Sequence, residues 1–272
     1  MNNSKITIIN DYGKFMTRNK DGKQFCFASA QFYKDSWSLS ISTQRGCPLS
    51  CTFCDVPLFG FYGNATTEEL QRQLELALNY YANTDEIRKP FYLHYARMGE
   101  PTFNPNVLDF TANTLPKLIK ATPTLLTMLP NSNSNLTQFL QDWTTIKNQL
   151  YNGNAGLQFA INSTSDSQRN KMFNNASLSL QEISKLSTKL PTPLNSKYTL
   201  SFIVNKETVL DPVTLNQLFS KDKFQIKIAP VHETKSTKQN QIKTLKENDT
   251  LSVINTFKQI LEEQDWEVTT LL

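Results

Sequence analysis

The 272-residue chain is 39% hydrophobic and 19% charged, which supports a packed core and excludes wholesale disorder. Its formal net charge of +4 is too mild for a histone-like or tail-type nucleic-acid binder. No run of about twenty apolar residues occurs, and the opening MNNSKITIINDYGK lacks the charged-then-apolar order of a secretory signal, so the expectation is a cytoplasmic protein with no membrane partner.

Residues 1–35 read as a short β-rich extension in which Phe25, Phe27 and Phe32 supply apolar surface, and residues 36–272 as the core domain. Within that core, short apolar segments at 37–42, 91–96, 124–129, 157–161, 198–204 and 224–229 predict strands. Helical periods between and after them predict helices at 67–82, 106–119, 134–149, 179–189, 213–220 and 247–263. The first helix has the clearest start. Thr66 with Glu69 makes a capping box, and Leu70, Leu74, Ala77 and Tyr81 then mark one face. Alternating strands and helices indicate a parallel sheet, and six units are too few for a closed eight-stranded barrel. The fold class expected is therefore α/β, a partial (β/α)6 barrel with a β-rich N-terminal extension, whose reactive groups sit at the C-terminal ends of the strands. Two stretches fall outside the pattern: the polar NSNSN at 131–135 and a lysine-bearing loop at 230–243.

The cysteines are more specific. Cys26 stands apart, while Cys47, Cys51 and Cys54 fall within CPLSCTFC, directly after the first strand of the core. A secreted disulfide framework spreads its cysteines, whereas a tight CxxxCxxC in a cytosolic chain reads as a metal or cluster loop. A structural zinc site needs a fourth ligand at finger-like spacing, and Cys26, His94 and His232 are unsuitably placed for that. A [4Fe–4S] cluster on three thiolates leaves one iron open to an external ligand.

With Phe53 at the aromatic position, CxxxCxFC resembles the signature of the radical SAM superfamily. There the amino and carboxylate groups of S-adenosylmethionine chelate the open iron. Reductive cleavage of that cofactor yields a 5′-deoxyadenosyl radical, which takes a hydrogen atom from substrate. The resemblance narrows with STQRGC at 42–47 and GFYGNATT at 60–67, which are similar to S-x-Q-x-G-C and G-F-x-R-N-x-T of the RlmN/Cfr-type RNA adenine methyltransferases, except that Gly63 replaces the arginine. Met98-Gly99-Glu100-Pro101 after the second strand matches that family's GEP motif, which implies that Gly99, Glu100 and Pro101 hold the cofactor's amino group. Looser matches place Asn162 and Ser163 after the fourth strand, and His232 after the sixth, beside the cofactor. The implied cofactors are a [4Fe–4S] cluster and S-adenosylmethionine, with a one-electron donor such as flavodoxin or ferredoxin.

The chain departs from that family where methyl transfer is concerned. Ser40 stands where the family has its resolving cysteine, the closing EVTTLL holds no methyl-carrying cysteine, and nothing here resembles the helical N-terminal RNA-binding domain. A hydroxyl does not replace a thiol in those steps, because alkoxides form poorly near neutral pH. The expectation is hydrogen abstraction from a nucleic-acid base or nucleotide without the methyl-cysteine route. The alternatives are a small-metabolite or peptide substrate, or a non-catalytic iron–sulfur or RNA-binding relative. Cys26, His94 and Ser40 are the remaining candidates for a catalytic part; Cys26 also reads as a small core residue, and His94 as a packed or barrel-lining one. Lys221, Lys223, Lys227, Lys235, Lys238, Lys243 and Lys246, against Asp222, Glu233 and Glu247, read as phosphate contacts or as a solvated face.

Overall fold

The structure, a computed structural model, describes residues 6–10, 14–18 and 25–271, with side chains at 26–246 and 248–271; the side chain of Phe25 lies outside the described residues. The chain divides into two compact units, one of residues through 48, 56–126 and 145–156, the other of residues 49–55, 127–144 and 157 onward.

In the first unit, β1 (Ile6–Asn10), β2 (Lys14–Arg18), β3 (Phe25–Phe32) and β4 (Trp37–Ile41) form an antiparallel meander. A small antiparallel pair follows, β5 (Gln44–Gly46) with β6 (Phe61–Asn64), and then α1 (Thr67–Tyr81). From β4 onward the sheet is parallel, continuing through β7 (Phe91–Tyr95) to β8 (Thr122–Thr127). Alternation sends Trp37, Leu39 and Ile41 and their neighbours Phe91, Leu93 and Tyr95 to one fully buried face. That face meets α1, whose Leu70, Leu74 and Ala77 are wholly buried, each leucine contributing about 1.5–3 kcal/mol. The expected capping box is present: Thr66 accepts from the Glu69 amide while Glu69 accepts from the Thr66 amide.

The predicted helix 106–119 is instead α2 (Asn106–Asp109), a π-helical stretch at Phe110–Thr114 and α3 (Leu115–Leu118). Pro116 has no amide to bond back one turn, which disrupts the regular ladder there. β8 starts two residues earlier than its apolar run and ends at Thr127, whose hydroxyl accepts from the Leu129 amide while Leu129 turns left-handed, φ 58°.

The second unit contains most of α4 (Leu136–Leu150), then β9 (Gly156–Ala160), α5 (Asp166–Met172), α6 (Leu180–Ser187), β10 (Tyr198–Val204), α7 (Pro212–Leu218), β11 (Phe224–Pro230), α8 (Lys235–Gln239), α9 (Glu247–Glu262) and β12 (Val268–Thr270). β9 through β12 pair in parallel, in chain order. Tyr198, Leu200, Phe202 and Val204 of β10 and Phe224, Ile226 and Ile228 of β11 form its core. The architecture is thus α/β, with parallel pairing in both units and an antiparallel lead-in. Among the described residues no helix is long and apolar enough to cross a membrane.

Candidate functional site

In the first unit the three motif segments meet through one side chain. Gln44, only 1% exposed, donates from Nε2 to Asn64 Oδ1 at 2.8 Å and accepts the Glu100 amide on Oε1 at 2.9 Å. Asn64 Nδ2 in turn donates to the Phe103 carbonyl, and Asn104 Nδ2 donates to the carbonyls of Thr43 and Ala65. The backbone of Thr43 is held by the Met98 carbonyl at 2.9 Å. STQRGC, GFYGN and MGEP therefore form one hydrogen-bonded block.

Two glycines are required by close approach. A Cβ on Gly46 would lie 1.8 Å from the Gly60 carbonyl oxygen, and one on Gly99 would lie 2.5 Å from Gln44 Cβ. Both residues also have positive φ, +81° and +94°. Cys47, next to Gly46, donates its amide to that same Gly60 carbonyl. Glu100 is 4% exposed and caps a short turn at Pro101–Phe103, its Oε1 accepting the Thr102 amide at 3.1 Å and hydroxyl at 2.8 Å. Gly63, where the sequence departs from the G-F-x-R-N-x-T pattern it resembles, has a structural counterpart. A Cβ there would meet Arg45 Nη2 at 3.3 Å, so the Arg45 guanidinium fills that side, bonding the Tyr62 carbonyl and Glu69.

In the second unit the loop of Cys51, Phe53 and Cys54 is tied down along its backbone. Thr52 donates to the Met172 carbonyl at the end of α5, and Asn240 Nδ2 donates to the Thr52 carbonyl. Thr234 and Ser236 donate their hydroxyls to the carbonyls of Phe53 and Cys54. Asp55 accepts the amides of Lys235 and Ser236 at the start of α8; burial acts to raise its carboxyl, but the hydrogen bonds from Ser236, Lys235 and Thr234 outweigh it and hold the pKa below the usual range. The Phe53 ring packs edge-on against Phe173, 5.8 Å between centroids.

The other candidates fall as follows. Asn162 and Ser163 are buried after β9, and both side chains serve the backbone: Asn162 Oδ1 accepts the Ile203 amide, and Ser163 Oγ donates to the Val209 carbonyl. Asn162 has φ 62°, the left-handed turn geometry that asparagine tolerates. His232 is exposed, two residues beyond β11. Cys26 is 2% exposed, and burial, with the Glu69 charge adding to it, pushes its thiol up to about 12. Ser40 and His94 are half-buried partners across β4 and β7. Of the lysine run, Lys223 is spent on the Ser187 and Leu190 carbonyls, Lys238 and Lys243 pair with Glu233 and Glu207, and Lys221 lies over the Trp266 ring.

Cys47, Cys51 and Cys54 are each half-buried, with thiol chemistry suited to soft metal centres. Among the described residues no three His, Cys, Asp or Glu side chains stand gathered around a common metal position. Gln44, Asn64 and Asn104 were not assigned roles by sequence reasoning, although the first two lie inside the quoted motifs. Arg97, beside MGEP, carried no signal beyond its charge.

No protein-family model matches the chain. A probable dual-specificity RNA methyltransferase RlmN of Thermotoga petrophila is 34% identical over 100 residues, 37% of this chain and 27% of that protein. The ribosomal RNA large subunit methyltransferase Cfr of Clostridium botulinum, strain Hall, is 29% identical over 123 residues, 39% of this chain and 34% of that protein. These matches span about a quarter to a third of the length of the relatives. A radical SAM methyltransferase from Sphaerobacter thermophilus superposes with a TM-score of 0.75 over 98% of this chain and 77% of that one, at 18% identity. The chain thus resembles the radical SAM superfamily and shares its α/β partial-barrel fold.

Proposed function

We propose that the chain is a radical SAM enzyme that binds a [4Fe–4S] cluster through Cys47, Cys51 and Cys54 and cleaves S-adenosylmethionine reductively to take hydrogen from a nucleic-acid base or nucleotide-type substrate. The observation that carries this reading is the Gln44 relay, whose buried amide joins the MGEP loop to Asn64, next to the backbone bond from Thr43 to the Met98 carbonyl, and so holds that loop against the segment leading into Cys47. Relatives named as RNA methyltransferases support a nucleic-acid or nucleotide substrate.

When bound, the cluster supplies an open iron and the electron for cofactor cleavage, the electron arriving from a donor of the flavodoxin or ferredoxin kind. The chain's own residues supply position. The three half-buried thiols are the ligands for the cluster. Glu100, buried and fixed by Thr102, is the acceptor for the cofactor's ammonium group, a charge-assisted hydrogen bond. Gly99 lets that backbone sit against Gln44. Phe53, braced by Phe173, keeps the turn between Cys51 and Cys54 in shape. Ser40 in the resolving position leaves no thiol for the methyl-cysteine route.

Glu100→Gln tests the cofactor site. After anaerobic reconstitution the variant should keep its iron content while binding S-adenosylmethionine about tenfold or more weakly, the loss expected for one charge-assisted contact. Unchanged cofactor affinity would remove Glu100 from the site.

A further inference from the structure

Cross-strand partners in a sheet present their side chains to the same face. The register Ser29↔Ser40↔His94↔Thr124 therefore lines up four polar residues across β3, β4, β7 and β8. This row lies on the face opposite Leu39, Leu93, Tyr95 and the α1 helix. Just past the end of β7, the Arg97 amide bonds the Ile41 carbonyl, and its side chain returns to the row. Nε donates to Ser29 Oγ at 2.7 Å, Nη2 donates to the same hydroxyl, and the guanidinium carbon lies 5.8 Å from the Phe27 ring centroid.

Arg97 is held but not neutralised. Arg45 and Arg169 have carboxylates nearby, Glu69 at 2.6 Å and Asp166 at 3.7 Å. Among the described residues, no carboxylate lies within ion-pair reach of Arg97, and its Nη1 amino group has no protein acceptor. The residue as a whole is exposed, while its guanidinium is part-buried against the row and burial lowers its pKa. A guanidinium fixed along one edge and backed by an aromatic ring offers its other edge as a planar fork, which matches an oxyanion bidentately. The hydroxyls of Ser29 and Ser40 and the His94 imidazole stand along the same row, and a tetrahedral anion has further oxygens for such groups.

We propose that Arg97 is a substrate-binding residue that grips a phosphate of the nucleotide-type substrate on this polar face, with Ser29 as its positioning residue. The assignment rests on the proposed function only in taking the substrate to be a nucleotide. It names the group recognised, and binding alone can test it.

The experiment is calorimetric titration of the full chain with the four nucleoside 5′-monophosphates and the matching nucleosides at low salt. At least one monophosphate should bind about tenfold more tightly than its nucleoside, with inorganic phosphate competing against the monophosphate alone. Arg97→Gln should erase that preference while leaving nucleoside affinity within about twofold, and Arg97→Lys should keep part of it, since charge remains and the fork is lost. If Arg97→Gln does not fold, Ser29→Ala gives the same readout by freeing the guanidinium. The assignment is overturned if no monophosphate binds, if wild type shows no preference, or if the preference survives both variants. It is equally overturned if Arg97→Gln weakens S-adenosylmethionine instead, or if peptide carboxylates rather than monophosphates show the Arg97-dependent gain. Phosphate preference without cofactor cleavage would keep this assignment and overturn the reaction; cleavage without phosphate preference would do the reverse.

Discussion

Gln44 illustrates how much can hang on one amide. Its Oε1 is the acceptor for the buried Glu100 amide, so Gln44→Ala strands that donor at a cost of about 1–3 kcal/mol. Gly99→Ala attacks the same contact from the other side. It places a Cβ 2.5 Å from Gln44 Cβ and forces an L-residue to φ +94°, costing about 1–3 kcal/mol in backbone strain before the clash is counted. Urea denaturation should show both losses, and wild-type stability in either variant would contradict the block described above. Cys26 makes the opposite kind of prediction. With its thiol pushed up to about 12 by burial, it carries almost no thiolate at pH 8. Iodoacetamide on the native, cluster-free chain should label Cys47, Cys51 and Cys54 and spare Cys26, as peptide mass spectrometry would show; prompt labelling of Cys26 would refute its burial.

At the level of elements, local chemistry explains what was legible in the sequence. Thr66 and Glu69 announced the start of α1 because a capping box is written in two side chains three residues apart. Thr66→Ala should cost about 1 kcal/mol in the same denaturation measurement. The strand cores were equally readable from their apolar runs, while their ends moved by one or two residues where Thr127 and Leu129 turned the chain. α5 and α8 escaped notice because they are short and polar. α5 buries an arginine, Arg169, bonded to Ser177 and the Leu178 carbonyl, where periodicity looks for an apolar residue. α8 matters because Asp55 ties its first amides to the cysteine loop. The folded-state pKa of Asp55 is lowered, so its contribution is complete above the ordinary carboxyl value of about 3.9 and is lost as pH falls through the lowered one. Hydrogen exchange at the Lys235 and Ser236 amides should be slow at neutral pH and should speed up in Asp55→Ala; unchanged protection in that variant would contradict the anchor.

Across the whole molecule, the sequence disclosed the chemistry-bearing segments but not what joins them. CPLSCTFC and MGEP stood out because their residue types are unusual at those spacings, whereas Gln44, Asn64 and Asn104 look like any polar loop residues until their partners, up to 61 positions away, are known. Arg97 was silent for the same reason, since its meaning comes from the β3 hydroxyl it reaches. The central claim concerns the three motif cysteines acting together. The most direct measurement is anaerobic reconstitution followed by incubation with S-adenosylmethionine and dithionite, with products read by mass spectrometry. Wild type should release 5′-deoxyadenosine, and Cys47→Ala, Cys51→Ala and Cys54→Ala should each abolish it. A reconstituted cluster that leaves the cofactor intact, or cleavage that survives loss of any of the three, would contradict the account.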